Sequence, residues 1–202
     1  MEIYIIRHGE TIWNREFRLQ GCADIELSNN GREGAVKAGE ELKNIKFDAV
    51  YSSPLKRAYE TARIICRDRN IEINVDERLR EISFGSYEGK TYDELEKEGV
   101  KFSLFFDKPE SFVPAKDAES FESLIKRAKS FIDELILKYG NADKRVMVVA
   151  HGAMNKALML NIRKTELKDF WLGGLQKNCN AIIVSYKNGT FQILSEGASI
   201  RK

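Results

Sequence analysis

The chain has 202 residues, 43% hydrophobic and 32% charged, the balance of an ordinary globular domain long enough to bury a core without staples. Its 33 Lys and Arg nearly cancel its 31 Asp and Glu, and the formal charge of +2 argues against a general binder of nucleic acid or of acidic membranes. Three prolines argue against a Pro-rich linker architecture, and the three scattered cysteines, Cys22, Cys66 and Cys179, make neither a disulfide framework nor a zinc pattern.

In chain order, Ile3 to Ile6 reads as a buried strand that runs out at Arg7-His8-Gly9. That opening run is too short for a signal-peptide core and lacks a basic leader, and no run approaches the ~18 apolar residues of a membrane helix, so a reducing cytoplasm is the expected setting. Ser28 caps a helix through Leu42. Asp48 to Tyr51 is a second strand. Ser53 is the expected cap and Pro54 the expected first residue of a helix whose apolar face is Leu55, Ala58, Thr61, Ala62 and Ile65.

Ile71 to Val75 alternates as a strand, Arg78 to Gly89 reads as a loop, and Thr91 to Gly99 as a short capped helix. Glu119 to Tyr139 is a long amphipathic helix with Phe121, Leu124, Ile125, Ala128, Phe131, Ile132 and Leu135 on one face. Lys126, Arg127 and Lys129 are expected to be solvated. Val146 to Ala150 is a buried strand ending at His151-Gly152, and a helix from Ala153 to Leu160 follows. Ala181 to Tyr186 and Thr190 to Leu194 flank Asn188-Gly189, a strong hairpin signal. Alternating strands and helices predict an α/β sheet, mostly parallel, with helices on both faces and an antiparallel strand added by the hairpin.

The chain has only two histidines, and both stand where an apolar strand meets a glycine. Ligands of such sheets bind beyond the carboxyl ends of the strands, so His8 and His151 are candidate functional residues. The glycine after each would let backbone approach a ligand closely. Two histidines without a third, and without a HisXxxHis step, make a weak metal site. Arg7 and Arg57 offer planar forks suited to phosphate oxygens, and the helix start beside Arg57 also favours an anion. Glu81 is a candidate proton donor, one of many carboxylates as far as spacing goes.

Arg7-His8-Gly9-Glu10-Thr11-Ile12-Trp13-Asn14 resembles the signature of the histidine phosphatase superfamily, phosphoglycerate-mutase-like branch. Leu27 to Gly31, Ser53 to Ala58, Glu81 to Gly89 and Val149 to Gly152 resemble its further motifs, in the family's order. The resemblance implies one domain over 1–202, a three-layer α/β/α sandwich, with a small lid insert around 90–118. It implies His8 as nucleophile, Arg7, Arg57 and His151 as the phosphoryl cradle, and Glu81 as general acid. It implies Thr11, Asn14, Gln20, Gly21 and Gly152 on the substrate side, with no metal and no cofactor. The implied partner is a small phosphomonoester.

Cofactor-dependent mutases of that family carry a longer insert with paired arginines and a proline run. Here Thr91 to Ser120 has no Arg and only Pro109 and Pro114, and Gln20-Gly21 is more like the phosphatase members. The expectation is a phosphatase, with a mutase as alternative and an inactive binding member less favoured because all five catalytic positions are intact. Phe102, Leu104, Phe105, Phe106 and Phe112 in the insert are read two ways, as an apolar lid over the leaving-group pocket or as anchors for a small helix.

Overall fold

The computed structural model describes residues 1–196. Six strands, β1 (Glu2–Arg7), β2 (Ala49–Ser52), β3 (Ile73–Val75), β4 (Arg145–Ala150), β5 (Ala181–Lys187) and β6 (Thr190–Glu196), form one sheet in the order β3-β2-β4-β1-β5-β6. β3, β2, β4 and β1 are parallel; β5 runs antiparallel to β1, and β6 antiparallel to β5. The Asn188-Gly189 turn has φ of 52° and 80°, the left-handed pair a two-residue hairpin needs.

The central strands are apolar on both faces, and side-chain alternation sorts them into two cores. Ile3, Ile5, Val146 and Val148 face one way, with α6 (Phe121–Tyr139) and α7 (Gly152–Arg163). Tyr4, Ile6, Met147 and Val149 face the other, with α2 (Asn29–Leu42) and α3 (Lys56–Ile65). The result is the three-layer sandwich expected, mostly parallel.

Local starts differ from expectation in informative ways. Ser28 caps α2, its hydroxyl accepting from Gly31 N, and Ser120 caps α6, which begins at Phe121 rather than Glu119. Ser53 does not cap α3: that helix begins at Lys56, and Leu55 is its cap without a side-chain bond. The strand after α3 is shorter than its alternation suggested, and the segment after it is held in two short 3₁₀ turns, Glu77–Leu79 and Gly85–Tyr87.

The insert contains α4 (Tyr92–Lys97), capped by a reciprocal Thr91–Glu94 box, and α5 (Leu104–Asp107). Its aromatic residues anchor it to the core, as one of the two readings expects. Phe102 and Phe105 are buried in the core on the α6–α7 side of the sheet, with Phe106 and Phe112 packed against it. Phe105 and Phe106 also reach the cleft described next.

Candidate active site

β1 and β4 pair in parallel with Arg7 opposite Ala150, so the next residues, His8 and His151, emerge side by side at the carboxyl edge. Their ring centroids lie 5.1 Å apart, tilted by 56°. His8 is locked by its backbone: its N–H donates to Ala150 O at 3.0 Å and its carbonyl accepts from Asn178 Nδ2 at 2.8 Å. Its Nδ1 sits 2.7 Å from Gly9 O. A carbonyl can only accept, so Nδ1 carries the proton and Nε2 keeps its lone pair. Gly9 approaches protein rather than ligand, since a Cβ there would stand 2.6 Å from Gly31 O.

His151 is fully buried, its Nε2 2.8 Å from Ser53 Oγ and its Nδ1 without a partner. Ser53 thus stands before the cap of α3, its hydroxyl shared between His151 and the Leu55 N–H, which it accepts at 3.3 Å. Arg7 donates Nη1 to Gln176 O at 2.6 Å, and Arg57 donates Nη1 to Ala23 O and Nη2 to Gly21 O, both at 2.7 Å. In each arginine the buried Nε has no partner. The start of α3 does not present an open anion site, because Lys56 N donates to Asp24 Oδ1 at 2.7 Å.

The helix start that does face this edge belongs to α7, and Glu81 occupies it. Glu81 Oε1 accepts from Ile82 N and Met154 N, both at 3.0 Å, and Oε2 from Ala153 N at 3.1 Å. Glu81 therefore pairs with neither arginine directly. Burial pushes the Arg57 guanidinium down to about 10 and lowers Arg7, each opposed by the charge of Glu81. Burial, reinforced by the cationic neighbours Arg57 and Arg7, holds His8 well below the usual histidine range. His151 is held well below it too, by burial, Arg57 and His8 in that order. Both rings are neutral at pH 7, in a field that strongly favours an anion.

A cleft of about 510 Å³ opens over this group and is lined by Arg7, His8, Asn14, Gln20, Gly21, Arg57, Glu81 and Gly152. Of the ten residues anticipated, those eight line the cleft, His151 stands behind His8, and Thr11 lies outside the lining. Thr11 is fully buried and caps α1 (Ile12–Arg15) in a box with Asn14, whose Oδ1 accepts the Thr11 N–H at 3.1 Å.

Two residues that spacing did not single out hold the site together. Glu88 Oε1 accepts from Cys22 N at 2.8 Å and Phe84 N at 3.1 Å. It fills the space beside Gly21, where a Cβ would stand 2.1 Å from that oxygen and where φ is +50°. Arg127, expected to be solvated like the exposed Lys126 and Lys129, turns inward against the Glu81 segment. Among the described residues no group of three His, Cys, Asp or Glu could hold a metal, and no helix is long and apolar enough to cross a membrane.

Two arginines and a histidine with unspent buried nitrogens, beside a second histidine that lines a cleft at the carboxyl edge of a parallel sheet, define an enzyme of phosphoryl transfer. The chain belongs to the histidine phosphatase superfamily (branch 1), whose family model matches residues 3–198. It is 32% identical over 184 residues to phosphoserine phosphatase 1 of Hydrogenobacter thermophilus, covering 91% of this chain and 86% of that one. It superposes on YhfR of Bacillus stearothermophilus with a TM-score of 0.91 at 35% identity, covering 98% of each chain. It superposes on a mycobacterial glucosyl-3-phosphoglycerate phosphatase with a TM-score of 0.90 at 28% identity, covering 98% of this chain and 99% of that one. The protein is a phosphatase that hydrolyses small phosphorylated metabolites through a phosphohistidine.

Proposed function

We propose that His8 is the residue phosphorylated. The carrying observation is that Arg7 Nε, Arg57 Nε and His151 Nδ1 are all buried and unpartnered, while Arg7 and Arg57 share the cleft lining with His8, whose Nε2 keeps its lone pair, and the His151 ring lies 5.1 Å from that of His8. Buried donors left without partners are costly, and phosphoryl oxygens would satisfy all three. With the Ser53 hydroxyl donating to His151 Nε2, Nδ1 of His151 carries the proton it needs as a donor. Asn14, its Oδ1 held by Thr11, offers Nδ2 to the same group.

His8 Nε2 attacks phosphorus, the bond to the leaving oxygen breaks, and Glu81 gives that oxygen a proton. Oε2 of Glu81, with one N–H bond against two at Oε1, has the lone pair that can hold this proton. Glu81 then takes a proton from the water that attacks phosphohistidine, releasing phosphate and restoring His8. The test is brief incubation with a ³²P-labelled phosphomonoester. Acid-labile, base-stable label is expected on the wild type and none on His8→Ala. Label persisting in that variant would refute the assignment.

The finer substrate reading rests on the cleft's far wall: Leu19, Phe84, Tyr92, Phe105, Phe106, Trp171 and Leu175. Its one cation, Arg18, is engaged by Gly89 O at 2.7 Å and by the carboxylates of Glu16 and Glu94. Such a wall suits an uncharged, apolar leaving group over one bearing a carboxylate. Near-neutral net charge and three unpaired cysteines support a cytoplasmic enzyme without a nucleic-acid partner.

A further inference from the structure

Glu81 sits in a stretch of backbone without helix or strand, between the two 3₁₀ turns, yet a general acid must be held to a fraction of an ångström. Arg127, on the second turn of α6, supplies what the missing secondary structure would. Its Nη1 donates to Arg78 O and Arg80 O, both at 2.6 Å, and its Nη2 donates to Glu81 O at 3.0 Å. The remaining donors go to Glu119, Nε to Oε1 and Nη2 to Oε2, both at 2.8 Å. All five N–H donors of the guanidinium are thereby spent. Glu119 completes the splint from its own backbone, its N–H donating to Ser83 O at 2.9 Å. Four carbonyls of the acid-bearing segment, those of residues 78, 80, 81 and 83, are thus tied to α6 and its leading residue.

We infer that Arg127, braced by Glu119, is a positioning residue for the general acid: it fixes the backbone of Glu81 so that the carboxyl group meets both the start of α7 and the leaving oxygen. The inference rests on Glu81 being that acid. Arg127 is not itself in the cleft lining and meets it only at the Glu81 carbonyl, so its removal should impair proton delivery more than phosphoryl binding. A lysine has a single point of donation and cannot span three carbonyls and a carboxylate at once.

The experiment compares kcat/KM for n-butyl phosphate, which leaves as a basic alkoxide, with kcat/KM for p-nitrophenyl phosphate, which leaves without a proton. The variants are Arg127→Lys, Glu119→Gln, Glu81→Gln and the Arg127→Lys/Glu81→Gln pair. Arg127→Lys should lose at least about tenfold more on butyl phosphate than on p-nitrophenyl phosphate, since displacement of a catalytic group by about 1 Å costs up to ~10²-fold. Glu119→Gln, which keeps the arginine and its carbonyl bonds, should show the same bias more weakly. In the double variant the bias should equal that of Glu81→Gln alone, because there is no acid left to misplace. Inhibition by inorganic phosphate should be unchanged in Arg127→Lys and in Glu119→Gln.

Equal losses on both substrates in Arg127→Lys and Glu119→Gln, with the bias intact in Glu81→Gln, would overturn the positioning role and leave the acid assignment standing. Should Glu81→Gln itself show no bias, both fall together. If Arg127→Lys does not fold, Glu119→Gln decides alone.

Discussion

The indole N–H of Trp171 donates to the Phe105 carbonyl at 2.6 Å. That bond joins the insert to the turn after α7, and rings from both sides, Phe106 and Trp171, lie 5.0 Å apart over the cleft. Two of the chain segments that line the cleft are therefore tied together by this hydrogen bond. Trp171→Phe keeps the apolar ring and loses the bond. It should raise KM for phenyl phosphate several-fold with little change in kcat, as expected of about 1 kcal/mol of uniform binding. Steady-state kinetics on phenyl phosphate checks this; a fall in kcat with KM unmoved would contradict it.

Arg18 is the cation on that wall, held by partly exposed carboxylates whose ion pairs are weak. Glu16→Gln with Glu94→Gln removes both carboxylate charges and leaves Arg18 held by the Gly89 carbonyl alone. The ratio of kcat/KM for phosphoserine to that for phenyl phosphate should then rise a few-fold. An unchanged ratio would mean that Arg18 already reaches the substrate despite its carboxylates, and Arg18→Ala would then lower activity on phosphoserine selectively.

Glu88, in the same segment as Glu81, is a carboxylate that could be mistaken for the acid. Its Oε1 takes two backbone N–H groups and steadies the Gly21 loop, whose carbonyl holds Arg57. Gln retains an acceptor oxygen, so Glu88→Gln should act on butyl phosphate at close to the wild-type rate, whereas Glu88→Ala should lower kcat/KM on every substrate alike. A large loss specific to butyl phosphate in Glu88→Gln would move the acid role to Glu88.

Both histidines are buried and held neutral, so the unfolded chain binds more protons than the native one as pH falls below the ordinary histidine range. Stability is then lost with acidification from about pH 6.5 downward, toward the depressed folded values, with a slope approaching two protons for the pair. A bound phosphate anion favours the charged rings and should flatten that slope. Thermal unfolding across pH 4.5 to 7.5, with and without saturating phosphate, measures both. A His151→Gln variant should retain about half of the slope.

Much of this was legible in order of residues. The two strand-His-Gly junctions placed His8 and His151, and Ser28, Thr91 and Asn188-Gly189 marked two caps and a turn where the structure has them. What stayed hidden depends on partners distant in sequence. Arg127 looks like any polar-face arginine until α6 is laid against residues 78–81, and Ser53 looks like a cap until β2 and β4 bring it to His151. Thr11 belongs to the histidine loop by sequence, yet a one-turn helix turns its hydroxyl to Asn14 and away from the cleft. Local propensity cannot foresee such contacts, because in each the choice is made by tertiary geometry.

The alternation of Ile3, Tyr4, Ile5 and Ile6 between two cores acts as a ruler for catalysis. A slip of one residue in the pairing of β1 with β4 would carry every side chain of β1 to the opposite face, and His8 with them. Substitutions deep in the sheet, far from any phosphate, therefore bear on chemistry as much as on stability. Enlarging Ile5 or hollowing Val148 can misalign two imidazoles while leaving the protein folded, so lesions in this enzyme's interior should surface first as lost turnover.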